Sequence, residues 1–572
     1  MQNIVFLILR RMRQPLLTLL VVYAISILGL SLIPGRDAAG NLWYMDIFHA
    51  FYFVSYMATT IGFGEIPYAF TDAQRLWVSL SLYASVIAWI YAFGTILTLV
   101  QDRTFQHAIA ESRFARRIRR MREPFHLVCG YGETGTALVQ ALTSRGQRAV
   151  VIDIDEVRTN SIQLQDLREF VPALHGDAAV TRHLQEAGLQ HPYCAGVVAL
   201  TDDNDVNLKI SITAKLLNPR VKVISRADSH DVEANMASFG TDHIVDPFDT
   251  FAGHLGVAFQ APCLYLLHRW LTGREGLALS EPVYPPKDEH WVVCGYGRFG
   301  KAICARLESE GIEVVVIEAR PDLTGQPASG FVAGRGTEAV TLSEARIETA
   351  SGLVAGTDND ANNLSIVMTA RELNPDVFVV VRQNEHGNAD IIAAVEADMV
   401  MHPSALIADK IRVLLATPML YEFVSLALYQ EESWACELVS RVSALVHDHV
   451  PSIREWLLSE SETRVLHEYL SEGGQLTVRD LLLDPWHREE ALKAIVLLIH
   501  RRNDRLLLPD PDTPLKVGDR LLLCGNRAAF TRIQWTLSNR HTLDYMRTGE
   551  ERPQSWIWRE LMKRRRAGRR GL

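Results

Sequence analysis

Apolar residues follow three patterns along the 572-residue chain, and each predicts a different kind of element. Leu16 to Ile33 reads LLTLLVVYAISILGLSLI, an uncharged run at the length of about 20 residues that a bilayer-crossing helix needs. It is too long for a cleavable signal, and no small-residue cleavage site follows it. Leu76 to Val100 is a second run without a charged residue. Between them, Asp46 to Ala58 is apolar and aromatic but too short to cross. That pattern predicts a re-entrant helix, which membranes tolerate only where it lines a water-filled path. After Pro124, short apolar strands alternate with amphipathic helical stretches, which predicts parallel sheets covered on both faces.

Charge orients the apolar runs. Arg10, Arg11 and Arg13 precede the first; Arg103, Arg113, Arg116, Arg117, Arg119, Arg120 and Arg122 follow the second. The loop between holds Asp37, Asp46, Glu65 and Asp72 against Arg36 and Arg75. The positive-inside rule then places both ends, and the chain beyond residue 100, in the cytoplasm. The cluster at 113–122 reads as a juxtamembrane grip on anionic lipid. A net charge of −9 gives no general case for nucleic acid as partner. The seven cysteines are scattered, odd in number and mostly inside apolar runs, which predicts reduced, buried thiols rather than disulfides or a zinc site.

The short apolar helix leads into Thr59-Thr60-Ile61-Gly62-Phe63-Gly64-Glu65. A dehydrated cation needs rings of oxygen ligands, so successive carbonyls must face one axis. Alternating glycines permit the positive φ this requires. Thr60 adds a hydroxyl, and the helix C-terminus directs its negative dipole end toward a cation. The segment closely resembles the potassium channel signature TVGYG, with Ile61 for Val, Phe63 for Tyr and Glu65 for the frequent following Asp. The resemblance implies a selectivity filter at Thr60, Ile61, Gly62, Phe63 and Gly64, with potassium as permeant ion. One loop supplies a quarter of a filter, so a homotetramer is implied. Gly94, in AFGTIL of the second run, reads equally as a gating hinge or as a packing glycine.

The remaining chain repeats. FHLVCGYGETGTALVQALTSRGQRAVVIDID contains Gly130-Tyr131-Gly132-Glu133-Thr134-Gly135 and ends at Asp153; HWVVCGYGRFGKAICARLESEGIEVVVIEA contains Gly295-Tyr296-Gly297-Arg298-Phe299-Gly300 and reaches Glu318. First glycine and acid are 23 residues apart in both. Strand, glycine motif, helix, strand and terminal acid form a dinucleotide-binding fingerprint. The acid favours NAD or an adenine nucleotide (ADP or ATP) over NADP, less so in the second copy, where Arg320 lies beside Glu318. Thr201 and Thr357, Asn207 and Asn363, and Arg226 and Arg382 match at intervals of 156. These blocks resemble the RCK domain, the regulator of potassium conductance, over roughly residues 125–410. The resemblance implies that Gly176-Asp177-Ala178 closes on the adenine, with Arg226 at the first site and Arg335 and Arg382 at the second. The second copy reads Gly334-Arg335-Gly336 and lacks the Asp.

The expected fold is therefore multidomain: an all-α transmembrane pore, two Rossmann-like doubly wound α/β domains and a C-terminal α+β subdomain. The expected boundaries are 1–102 for the pore, 103–123 for a linker, 124–288 and 289–430 for the two nucleotide domains, 431–545 for the subdomain and 546–572 for a basic tail. Within 247–290, FAGHLGVAF and CLYLLHRWL resemble the crossover helices by which RCK domains pair. Asp202, Asp203 and Asp205 form either a calcium cluster or a solvated loop or helix cap. The expected function is a potassium channel of the plasma membrane, gated by cytoplasmic nucleotide or calcium. The alternatives are a membrane-tethered NAD-dependent oxidoreductase, for which the scattered histidines offer no proton donor, and a regulatory component of a potassium uptake system.

Overall fold

The computed structural model describes residues 2–549 apart from positions 65, 274 and 447, and falls into two compact units with the break between Met121 and Arg122. The basic stretch at 550–572 and position 65 after the glycine segment lie outside the described residues.

The first unit contains α1 (Gln2–Leu32), α2 (Ile47–Ala58), α3 (Asp72–Gln101) and α4 (Arg103–Arg119). Arg10–Leu32 and Asp72–Gln101 are each long and apolar enough to cross a membrane. They pack closely at Gly29, where a Cβ would sit 2.1 Å from the Trp77 indole. Trp77 Nε1 donates to Ser26 O (3.1 Å), and buried Gln74 donates to Ile33 O (3.3 Å). Asp46 caps the short α2 by accepting from Phe48 N, and Ala50, Phe53, Val54 and Met57 bury against Leu30. The linker begins as a helix, α4, with Arg116, Arg117 and Arg119 in its last turn.

The second unit opens with β1 (Phe125–Cys129), α5 (Glu133–Ser144), β2 (Arg148–Asp153), β3 (Ala173–His175), β4 (Cys194–Ala199), α6 (Asn204–Leu217), β5 (Lys222–Arg226) and β6 (His243–Val245). The strands form one parallel sheet in the order β3-β2-β1-β4-β5-β6, with Val128 beside both Val151 and Val198. These central strands are covered on both faces, which is why they read as near-continuous apolar runs. Two helices follow, α7 (Pro247–Gln260) and α8 (Pro262–Thr272). The second copy comprises β7 (Trp291–Cys294), α9 (Arg298–Ser309), β8 (Val314–Glu318), β9 (Phe331–Ala333), β10 (Gly352–Ala355), α10 (Asp360–Leu373), β11 (Phe378–Arg382) and β12 (Met399–Met401). Its sheet order, β9-β8-β7-β10-β11-β12, repeats the first, and α11 (Pro403–Ala416) and α12 (Pro418–Ala427) follow it.

The copies exchange helices. Phe248, Phe251, Leu255 and Phe259 of α7 bury in the second copy's core against Trp291, Phe299 and Ile303. Ile407, Ala408, Ile411 and Leu414 of α11 bury in the first copy's core against Leu138, Val139 and Leu142. At roughly 1.5–3 kcal/mol per large apolar side chain, either helix contributes on the order of 10 kcal/mol to a domain it does not belong to. The α7–α8 pair was expected from sequence; the α11–α12 pair was not. Its signal lies in Pro403 and Pro418, which repeat Pro247 and Pro262 at the same interval of 156.

The chain ends in α13 (Glu432–Val446), β13 (Ser452–Leu457), β14 (Ala494–Arg501), β15 (Asp504–Leu507), β16 (Arg520–Gly525) and α14 (Arg527–Ser538), preceding a final short helix. The strands form an antiparallel sheet, β13-β16-β14-β15. One face packs on Leu267, Phe423 and Leu438 of α8, α12 and α13, the other on Phe530 and Ile533 of α14. The cysteine expectation needs correction here. Cys263, at the start of α8, and Cys436, near the start of α13, form a disulfide, because the two helices lie side by side in one core although the residues are 173 apart in sequence. The other five cysteines are free and buried.

Candidate functional site

Each Rossmann sheet has its crevice where the strand order reverses, between β1 and β4 and between β7 and β10. The three glycines of each motif have separate tasks there. Gly130 and Gly295 take φ of +99° and +98°. A Cβ on Gly135 would lie 2.1 Å from Gly130 O, and one on Gly300 1.9 Å from Gly295 O. These residues seat the helix on the strand. The middle glycines differ: Gly132 has only Arg158 Nη1 at 3.6 Å, and Gly297 has nothing within 4 Å. That open side, at the N-termini of α5 and α9, is where an anion meets unpaired backbone N–H groups.

The acids stand at the strand ends as expected. Buried Asp153 accepts from Tyr131 N and Asp155 N; buried Glu318 accepts from Tyr296 N and Arg320 N (both 2.7 Å). Each carboxylate thus ties the glycine loop to its own strand. Gly176 N bonds to Asp153 O (2.9 Å), which brings Asp177 and buried Ala178 beside the first acid. In the second copy Gly334 N bonds to Glu318 O (3.2 Å), and Arg335 beside it is exposed. Thr134 and Phe299 are buried, so these two motif positions face the core; Phe299 packs on Phe248 and Phe251 of α7.

Asn207 and Asn363 have a structural task that residue matching alone does not reveal. Asn207 accepts from Thr201 N and Oγ1 and donates to Arg226 O; Asn363 does the same with Thr357 and Arg382. Both are buried, and each latches the ends of two neighbouring strands, β4 to β5 and β10 to β11, on one side of the crevice. The run Asp202–Asp205 behaves as a cap: Asp203 accepts from Asp205 N and Val206 N at the start of α6, and Asp202 pairs with Arg226 (3.2 Å).

The crevices also touch one another's domain. Glu133 of the first motif accepts from His386 N in the loop after β11 (3.1 Å). Arg298, at the equivalent position of the second motif, pairs with Asp228 in the loop after β5 (2.8 Å), and Asp228 also holds Arg226 (2.9 Å). Arg298 and Arg382 both lie over the Phe248 ring, at 5.3 Å. Burial pushes the Arg382 guanidinium below its usual pKa, while Asp358 pulls the other way. Burial likewise pushes His402 down, against the pull of Glu133. Cys129 and Cys294 lie directly beneath the glycine motifs, but burial pushes both thiols up, Cys294 to about 12, so neither is a nucleophile at neutral pH.

In the first unit, the segment after α2 alternates. Thr60, Gly62 and Gly64 take φ of +62°, +63° and +74°, while Ile61 and Phe63 between them do not. Ile61 N and Gly62 N both point back to Tyr56 O (3.0 and 3.3 Å). Thr60, Ile61, Gly62, Phe63 and Gly64 are all exposed along the chain, and nothing lies within 4 Å of a Cβ on either glycine. The glycines are therefore set by backbone conformation, not by crowding. Helix α3 runs unbroken through Gly94, whose Cβ direction meets nothing of this chain within 4 Å.

Residues 126–247 and 291–403 match the TrkA-N domain, and residues 484–534 the TrkA-C domain. These stretches together make up half of the chain, which carries two TrkA-N (RCK) domains in tandem followed by a TrkA-C domain. It is similar to potassium channel protein 1 of Methanocaldococcus jannaschii, 23% identical over 252 residues, covering 43% of this chain and 66% of that one. It is also similar to a Trk system potassium uptake protein TrkA homolog of Pyrococcus horikoshii, 31% identical over 136 residues, covering 22% of this chain and 60% of that one. Among solved structures, the GsuK channel bound to NAD aligns over 94% of this chain and 100% of its own, at 18% identity and a TM-score of 0.46. The chain spans between about a third and two thirds of the length of the curated relatives it matches.

Proposed function

We propose that this chain is one subunit of a potassium-selective channel, gated by nucleotide binding to its tandem RCK domains. The observation that carries the reading is the alternation of left-handed backbone at Thr60, Gly62 and Gly64, directly after a short capped helix and between two helices of membrane-crossing length. That alternation turns successive carbonyls toward one side, as a cation filter requires. Four chains around an axis complete it, with Thr60, Ile61, Gly62 and Phe63 supplying the carbonyl rings and Gly94 as candidate hinge. The positive-inside rule puts the RCK domains in the cytoplasm.

Gating follows from linkage. A ligand shifts a gate only through unequal affinity for its two states. About tenfold preference at each of four equivalent sites multiplies to about 10⁴, or about 5.5 kcal/mol, enough to move a gate from 1:99 to 99:1. NAD or an adenine nucleotide is the ligand the crevices support, with its pyrophosphate at Gly132 or Gly297 and its ribose at Asp153 or Glu318; the 103–123 linker transmits the change to α3. Purified protein in planar bilayers, under asymmetric potassium and sodium, tests this. A reversal potential near the potassium value, with open probability that changes on adding NAD or ADP to the RCK side, is expected. Absence of current from an intact tetramer under both nucleotides would overturn the channel reading.

A further inference from the structure

A cavity of about 1140 Å³ opens between the last turn of α5, the end of α11, β13 and the first turn of α14. It is separate from both nucleotide crevices: its first-domain wall is Gln140 to Arg145, at the opposite end of α5 from the glycine motif. Five guanidinium groups line it, Arg145, Arg168, Arg412, Arg454 and Arg527, against two carboxylates, Glu275 and Glu455.

These charges are not balanced within the protein. Glu455 accepts from Met419 N (2.8 Å) and lies 3.7 Å from Arg520. Glu275 accepts from Ser452 Oγ (2.6 Å) and stands 3.9 Å from Arg454, a loose pairing. Arg168 donates to Ser144 O (3.1 Å), answering the C-terminal carbonyls of α5. Arg412 donates to Thr272 O and to Asp409 (3.3 Å). Among the described residues, Arg145 and Arg527 have no side-chain hydrogen bond or ion pair. Burial, then the charges of Arg412 and Arg454, push Arg145 down to about 10, against the weaker pull of Glu275 and Asp409. A half-buried cation between like charges is unfavourable by itself, and becomes favourable when an anion lies among them.

We propose that this cavity binds a small anion carrying at least two linked phosphate groups. Planar guanidinium forks match phosphate oxygens two at a time. The groups with donors to spare, Arg145, Arg454 and Arg527, come from three separate elements, so a ligand must present charge in more than one place to satisfy them. Arg527 opens α14, with Asn526 as its cap, so the helix N-terminus adds N–H groups on the same side. The walls belong to the first RCK domain, the second copy's crossover helix and the C-terminal sheet. A ligand here therefore ties together three parts of the unit and is linked to any motion among them.

Calorimetric titration of pyrophosphate into the purified full chain in detergent tests this, beside orthophosphate and beside the variants R145Q/R454Q and R527Q. Expected are one pyrophosphate per chain, at least tenfold weaker orthophosphate, about 100-fold loss in R145Q/R454Q and about tenfold loss in R527Q, with affinity falling as salt rises. The ligand-free unfolding temperature of R145Q/R454Q is expected at or above that of the parent, because repulsion is removed. No binding by the parent, or unchanged affinity in both variants, overturns the proposal. Equal affinity for orthophosphate overturns the two-phosphate assignment. If R145Q/R454Q unfolds early, exposed R527Q decides alone. None of these outcomes depends on whether the chain conducts potassium.

Discussion

The three glycines of each nucleotide motif allow stability and ligand binding to be broken separately. In G135A/G300A the new methyl groups would sit 2.1 and 1.9 Å from backbone oxygens of Gly130 and Gly295, more than 1 Å inside ordinary contact. Backbone cannot rotate aside as a side chain can, so each helix must lift from its strand. Overpacking of this kind costs about 3 kcal/mol at the upper end, and alanine's helix preference offsets about 1, leaving about 2 kcal/mol per site. For domains of this size that lowers the unfolding temperature by roughly 4–8 °C. In G132A/G297A the methyl groups meet nothing closer than 3.6 Å, and Gly132 already has extended backbone (φ −74°, ψ −160°) that alanine adopts freely. Both glycines are N-cap residues, where alanine is the poorer cap, so the cost should be about 0.5–1 kcal/mol per site, well below that of G135A/G300A. The methyl groups nonetheless occupy the side from which a pyrophosphate approaches, so NAD and ADP affinity should fall at least tenfold. Thermal unfolding without ligand and calorimetry with it separate the two variants. If G132A/G297A loses as much stability as G135A/G300A, or binds nucleotide like the parent, the division of labour among the glycines is wrong.

Asp360, at the head of α10, is buried, which alone would raise its pKa, but hydrogen bonds from Asn388, Asn384 and Glu385 outweigh burial and hold its carboxyl below the usual range. D360N should lose about 2–4 kcal/mol at neutral pH. A depressed folded pKa stabilises fully above the ordinary value of about 3.9 and loses that effect only as pH falls through the lowered folded value, so urea unfolding of parent and variant should differ most above about pH 5 and begin to converge only below about pH 4. D228N removes the charge that holds Arg226 and Arg298 across the two copies and should cost about 2 kcal/mol, read as faster hydrogen exchange in the first turn of α9. G62A forces alanine into φ +63°, at about 1–2 kcal/mol per chain and four times that in a tetramer; single-channel recording should show lost potassium selectivity or lost current.

Much of this molecule is legible from local patterns. The Rossmann strands announce themselves because each is buried on both faces, and the glycine motifs because tight turns admit few residue types. The segment at Thr60 to Gly64 is nearly as explicit, since left-handed backbone calls for glycine and two of its three alternate positions carry one, Thr60 being the exception. What stays hidden is set by distant contacts. The exchange of α7 and α11 depends on which core each helix enters, and amphipathic helices do not state their partner. Cys263 and Cys436 become neighbours only once α8 and α13 share a core. Asn207 and Asn363 were visible as matched residues, but their latching of strand ends needs the backbone. The arginine cavity is assembled from six separate stretches, none of them unusual alone.

The exchange of α7 and α11 also settles a question of partnership. Two domains that recognised each other only through surface complementarity would have to preserve that complementarity together, and identical copies would be free to pair with themselves. Here each copy carries part of the other's interior on the same polypeptide, so pairing of unlike copies is inherited with the chain. A change confined to one crevice, such as Arg335 where the first copy has Asp177, leaves the pairing intact. A single gene can thus hold two crevices of different chemistry and still deliver them in a fixed one-to-one ratio.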